Sequence, residues 1–354
     1  MISSTIPSQT ILLPDLLKDW PMKRTIHPLY EEVSSESADW VETLKPFNKH
    51  HLASFRKCKF GLLASLAYPK CSREHLRTGC DLMNAFFVFD EITDNQSAED
   101  VQKGADIIMD ALRNPYTPRA ENESVLGIVY QEQAPKFHLD SYSHTVLDCS
   151  FWSRALQSSS PSSAHRFISH FQAYVDSVVQ QAADRDSHIV RGIDEYLSLR
   201  RQTIGVFPSF DVLTMGMHLP DYILNHLKIT ALVDIANDMI IISNDICSYN
   251  VEQSKGDDEH YRMTVCFDKL NILISAMDYT GAKYHILREQ YLAALKDIPS
   301  WYPKIDEYIK EYIWGVGNWI TASVEWSFES GRYFGEDGME IREHRRITLL
   351  PRVV

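Results

Sequence analysis

From about Ala38 onward, apolar residues recur at three- and four-residue steps and few alternating runs interrupt them. That spacing places the apolar side chains on one face of successive helices and leaves little material for strands. Punctuation marks the ends. Arg113-Asn114-Pro115 closes one helix, and a polar, proline-containing loop runs on to Ser124. Ser158-Ser159-Ser160-Pro161 supplies an N-cap with proline at the first helical position. Leu219-Pro220-Asp221 opens another helix, and Lys255-Gly256-Asp257-Asp258 ends a long one. The segments predict an all-α chain of ten or more helices with no evident linker. A single helical domain over residues 36–354 is expected, with two half-bundles meeting near residue 160 as the alternative. Residues 1–35, with prolines at 7, 14, 21 and 28, read as an extended strap laid over the core.

Two strings about 150 residues apart break the apolar pattern. The first is Asp90-Glu91-Ile92-Thr93-Asp94, and the second runs from Asn244-Asp245 through Ser248 to Glu252. A four-residue step returns a side chain to the same helix face one turn along. Asp90 and Asp94 therefore share a face, and Asn244, Ser248 and Glu252 share another. All five are hard oxygen donors of the kind Mg²⁺ takes together with water and phosphate oxygens.

The run before Asp90 is almost wholly apolar, so the first helix turns acidic only at its last turns. No Lys or Arg follows at the offsets that would make an exposed ion-paired face, and carboxylates are disfavoured at a helix C-terminus. The second helix carries Met239-Ile240-Ile241-Ile242, so it is buried on most sides and Asn244 and Ser248 lie deep. Buried polar groups need partners, and a metal supplies them together. Taken singly, each string also fits an ordinary helix end or a polar core network; the pair is the stronger signal. One carboxylate and two neutral ligands on the second face leave coordination sites for phosphate oxygens.

Composition removes other classes. The net charge of −13 argues against a nucleic-acid or anionic-membrane surface. No apolar run reaches the ~20 residues that span a bilayer, so no stable membrane insertion is expected. Six cysteines without C-x-x-C spacing read as reduced thiols of a cytoplasmic protein. The N-terminal residues lack the basic-then-apolar order of a secretion signal. Self-association into a homo-oligomer stays open.

Two further strings extend the pattern: Leu199-Arg200-Arg201-Gln202-Thr203-Ile204-Gly205, and Ser330-Gly331-Arg332-Tyr333-Phe334. With all four in this order, from roughly Trp20 to Gly335, the chain resembles class I terpene synthases, specifically the fungal (basidiomycete) sesquiterpene synthases. The segments around Leu62–Pro69 and Gly79–Asn84 most resemble the Δ6-protoilludene synthase group. Glu91 stands where many relatives carry Asp, and Val251 where relatives often carry a diphosphate-touching Lys or Arg.

The resemblance implies a helical bundle around a central apolar cavity, with farnesyl diphosphate as substrate and three Mg²⁺ ions clamping its diphosphate. It implies that Asp90 bridges two ions with Asp94 beside it, and that Asn244, Ser248 and Glu252 hold the third. Arg201, Arg332 and Tyr333 are expected to donate hydrogen bonds to the diphosphate. Arg201 is preferred to Arg200 because Gly205, the helix-breaking glycine, follows it by one turn. Phe87 is expected at the substrate, and Phe86, Trp314, Trp319 and Trp326 are further candidates for a cation-stabilising wall; ordinary core packing is the alternative for each. Closure of the loops after Glu252 and around Arg332–Gly335 is expected. The implied reaction is cyclisation of the farnesyl cation, by closure between its first and eleventh carbons, to Δ6-protoilludene. The rivals are a chain-elongating prenyltransferase, which would normally carry a second D-D-x-x-D, a farnesyl diphosphate hydrolase and an inactive helical scaffold.

Overall fold

A computed structural model describes residues 10–94, 96–117, 124–130, 151–255 and 273–352. Within them the chain is all-α apart from one two-stranded ribbon, in which Thr10–Leu12 pairs antiparallel with Arg346–Thr348. Ile11 faces Ile347 across the ribbon and both are buried. The ribbon joins the two ends of the described chain over the bundle. Beyond it the strap buries Leu13, Leu16 and Trp20, the last tilted on Tyr291 with ring centroids 5.2 Å apart. The first helix, Tyr30–Thr43, begins within the 1–35 segment.

Three helices carry the first three motifs, and the Ser330–Phe334 string follows the end of a fourth. The first-motif helix is Arg73–Thr93. Its N-cap, Ser72, accepts from the backbone N–H of His75, and its body buries Leu76, Cys80, Met83 and Phe87. It packs against Tyr30–Thr43, Phe60–Ala67 and Phe151–Ser158. At the centre of that junction Asp81, fully buried, accepts from Ser37 Oγ at 2.6 Å and Arg77 Nε at 2.8 Å, and pairs with Arg154. A carboxylate so placed holds its helix firmly, because removing a partner would leave a buried charge uncompensated.

The second-motif helix is Leu227–Lys255, buried on most sides along Ala236–Ile242. It packs against Leu273–Ala294, against the closing helix Pro303–Glu329, and against the arginine helix Ile193–Thr203. Pro161–Asp186 completes the frame; Ser160 caps it by accepting from Ser163 N–H, with Pro161 in the first turn, as the sequence predicts. Among the described residues no helix is long and apolar enough to cross a membrane.

Candidate active site

The C-terminal turn of the first-motif helix and the middle of the second-motif helix open on one cavity of about 220 Å³. Asp90, Asp94, Asn244, Glu252, Arg200, Arg332 and Tyr333 line it together. The geometry thus brings both oxygen-donor faces to a common space. Ser248 lies one turn below Asn244, 1% exposed, and donates to Glu252 Oε2 at 2.9 Å. Asp94 caps the first-motif helix, its N–H bonded to the Asp90 carbonyl at 2.9 Å.

Electrostatics separate these carboxylates from ordinary surface acids. Asp90 is wetted from the cavity, yet the protein crowded round that space desolvates it. Burial and the neighbouring charge of Asp94 push its carboxyl up to about 7, against the pull of Arg332 and Arg200. Burial and Asp245 push Glu252 up to about 8, although Ser248, Arg200 and Arg332 draw it down. Acids raised this far are relieved by a cation. Among the described residues no three of His, Cys, Asp and Glu converge as a metal cage. The donors fit Mg²⁺ as an open set, completed by oxygens from elsewhere.

A hydrogen-bonded chain ties three of the four motifs together. Arg200 Nη2 donates to Asn244 Oδ1 at 2.8 Å, Asn244 Nδ2 donates to Tyr333 OH at 2.9 Å, and Arg332 Nε donates to Tyr333 OH at 3.3 Å. Asp245, next to Asn244 but fully buried, turns instead to Tyr196 OH at 3.0 Å and lies 3.9 Å from Arg200 Nε. One residue of the pair therefore faces the cavity while its neighbour secures the arginine helix.

Two expected placements, those of Arg201 and Phe87, are corrected. Arg201 does not line the cavity; its guanidinium makes a two-pronged pair with Asp238 at 2.7 and 2.8 Å, and Arg200 takes the cavity position. Neighbouring residues on a helix point about 100° apart, so the turn that aims Arg200 at the cavity aims Arg201 at Asp238. The same holds for Phe86 and Phe87. Phe86 lines the cavity, whereas Phe87 is buried in an aromatic cluster with Phe47, Phe55 and Phe60. Trp314, Trp319 and Trp326 are absent from this cavity's lining; Trp326 Nε1 donates to the Cys58 carbonyl at 2.7 Å. Val251 does not line this cavity; it sits in an adjoining surface groove that shares Arg332 and Tyr333 with it. The expected loop after Glu252, from residue 256 to 272, lies outside the described residues.

Gly205 stands where the arginine helix stops and Val206–Val212 begins, at φ +72°. A Cβ there would come within 3.0 Å of the Phe86 ring. Phe86 also packs on Phe171, stacked at 5.7 Å, and on Tyr174, edge-on at 4.8 Å. Thr203 and Ile204 of the same break line the cavity. Sequence reasoning missed Tyr174, Gln181 and Arg185, which reach the cavity from Pro161–Asp186. Their signal was only a shared face at seven- and four-residue steps, with no motif attached.

Residues 81–283 match a family model described as terpene synthase family 2, C-terminal metal binding. The chain is 41% identical to Sesquiterpene synthase 9 of Postia placenta, over 97% of this chain and 95% of that one. It is 40% identical to a Delta(6)-protoilludene synthase of Stereum hirsutum, over 100% and 96% of the two chains. A Delta(6)-protoilludene synthase of Armillaria gallica is 41% identical over 98% and 96%. Among solved structures, α-eudesmol synthase superposes with a TM-score of 0.73, covering 88% of this chain and 99% of that one at 17% identity, a likeness of fold alone.

Proposed function

The chain belongs to the terpene synthase family and is an enzyme of that class, and from that premise we propose that it is a Mg²⁺-dependent sesquiterpene cyclase acting on farnesyl diphosphate. The observation that carries the reading is the meeting of Asp90, Asn244 and Glu252 with Arg200, Arg332 and Tyr333 on one cavity wall. Cavities for whole small-molecule ligands commonly measure roughly 300–1,000 Å³; at about 220 Å³ this one suits the diphosphate end of the substrate.

Asp90, with Asp94 beside it, and Asn244, Ser248 and Glu252 are the residues that would hold three Mg²⁺ ions with the diphosphate. Bound Mg²⁺ supplies Lewis acidity toward the phosphate oxygens. Arg200 and Arg332 donate to the same oxygens, because a planar guanidinium can bond two of them at once. Tyr333 already accepts from Asn244 and Arg332, which leaves its O–H free to donate into the cavity.

When the allylic C–O bond breaks, negative charge gathers on the leaving diphosphate, and donors fixed in advance stabilise it most. The farnesyl cation needs dry surroundings and electron-rich faces, and Phe86 and Tyr174 supply faces at the cavity. The diphosphate itself can take the final proton, so no dedicated base is required. Three of the relatives are named sesquiterpene or Delta(6)-protoilludene synthases, which supports closure between the first and eleventh carbons to Δ6-protoilludene in this chain.

The test is incubation of the purified protein with farnesyl diphosphate and Mg²⁺ under a solvent overlay. A cyclic sesquiterpene hydrocarbon that disappears with EDTA is expected, and Δ6-protoilludene is the expected product. A longer prenyl diphosphate, farnesol alone, or no turnover would each contradict the reading.

A further inference from the structure

Arg332 is held without a carboxylate. Among the described residues no ion pair engages it, although the cavity it lines is acidic. Its partners are Tyr333 OH, the sulfur of Cys58 at 3.5 Å from Nη1, and ring faces at 5.6 Å for Phe60, 5.9 Å for Phe87 and 5.6 Å for Tyr333. Aromatic faces and a thiol orient a guanidinium without neutralising it.

The same short corner grips the backbone around Arg332. The helices Lys49–Cys58 and Phe60–Ala67 meet at Lys59, which takes the left-handed conformation at φ 47°. Its neighbours present what the end of the closing helix needs. The Lys57 carbonyl accepts from Gly331 N–H at 2.9 Å, and the Cys58 carbonyl accepts from Trp326 Nε1 at 2.7 Å. Lys59 Nζ reaches the Glu329 carbonyl at 3.5 Å. Phe60 packs on Trp326 at 5.7 Å and on Phe87 at 5.0 Å. Contacts before, at and after the closing helix's end thus fix the backbone leading into Arg332.

We propose that the corner Lys57–Phe60, together with Phe87, is a positioning platform that aims Arg332 into the cavity with no carboxylate in direct contact, so that its N–H groups are presented to the departing diphosphate. Phe87, expected at the substrate, acts through Arg332 instead. The proposal rests on the reading of Arg332 as a diphosphate contact, and its test uses inorganic diphosphate so that it does not depend on the farnesyl substrate.

Binding of inorganic diphosphate with excess Mg²⁺ is measured by calorimetry for the full chain, Phe60→Leu, Phe60→Tyr and Cys58→Ala, each also in an Arg332→Ala background. Phe60 is only half-buried, so Phe60→Leu is expected to fold, and a thermal melt verifies each variant. The expected result is about fivefold or greater weakening in Phe60→Leu, near-normal binding in Phe60→Tyr, and no further loss from Phe60→Leu or Cys58→Ala once Arg332 is gone. Equal losses with and without Arg332 would show a merely structural corner and overturn the proposal, as would undiminished binding in Phe60→Leu. Should Phe60→Leu unfold, Cys58→Ala alone decides on the same criterion. A wild-type chain that binds no diphosphate overturns the Arg332 reading itself; one that binds it but leaves farnesyl diphosphate untouched overturns only the proposed substrate.

Discussion

Arg200 and Asn244, on two different helices, share a 2.8 Å hydrogen bond from Nη2 to Oδ1. An arginine has only donors, so this bond fixes which end of the Asn244 amide faces it and leaves Nδ2 for Tyr333. Arg201, one residue on, is spent on Asp238 in a pair that is partly open to water. Arg200→Ala is therefore expected to lower kcat/KM for farnesyl diphosphate by ~10²–10³, the scale of one lost transition-state donor. Arg201→Ala is expected to leave turnover within a few-fold and to cost at most about 1 kcal/mol of stability. Steady-state kinetics and a denaturant melt on both variants separate the two; the reverse ranking would return the role to Arg201.

Gly205→Ala meets two obstacles, a backbone at φ +72° and the Phe86 ring 3.0 Å from the new Cβ. The strained backbone alone costs about 1–3 kcal/mol. Because Phe86 is stacked on Phe171, it yields into the cavity or not at all. Chemical denaturation is expected to show the stability loss, and the product profile of the variant is expected to shift toward different or uncyclised products. An unchanged profile would mean that Phe86 does not bound the reacting chain.

The metal ligands differ in how much they lose on substitution. Asp90→Asn and Glu252→Gln keep shape but remove the charge a cation needs, and each is expected to lower turnover at least ~10²-fold while raising the Mg²⁺ concentration for half-maximal rate. Asp94→Asn is expected to cost less, because Asp94 sits at the helix cap beside Asp90. Magnesium titrations of initial rate distinguish these outcomes.

The raised carboxyls give the pH dependence a definite sign. Without metal, Asp90 at about 7 and Glu252 at about 8 hold protons that the unfolded chain releases near pH 4. The folded state thus binds more protons, and stability from these groups falls as pH rises from about 4 through 8. Mg²⁺ with diphosphate replaces those protons. The gap in melting temperature with and without Mg²⁺-diphosphate is expected to widen between pH 5 and pH 8, with proton release on binding near pH 6.5. A gap that narrows over that interval would contradict the raised values.

How much of this was legible in the sequence follows from what periodicity can resolve. Four-residue steps identified Asp90 with Asp94, and Asn244 with Ser248 and Glu252, because a shared helix face is a property of spacing alone. The Ser160–Pro161 start was legible for a similar reason: capping is local chemistry. Choices between adjacent residues were not. Arg200 against Arg201, and Phe86 against Phe87, depend on helix rotation set by packing around Asp81 and Asp245, which are buried charges with distant partners. Tyr174 and Arg185 were illegible because a mixed polar and aromatic face on Pro161–Asp186 looks like any amphipathic helix.

In the proposed function, the faces of two helices hold one shared metal-diphosphate cargo. Anomalous diffraction from crystals grown with Mn²⁺ and inorganic diphosphate would locate that cargo. Manganese peaks beside Asp90 and beside Asn244, Ser248 and Glu252, bridged by one diphosphate that Arg200 and Arg332 touch, are the predicted result. Peaks at only one of the two faces, or a diphosphate bound away from both, would contradict it.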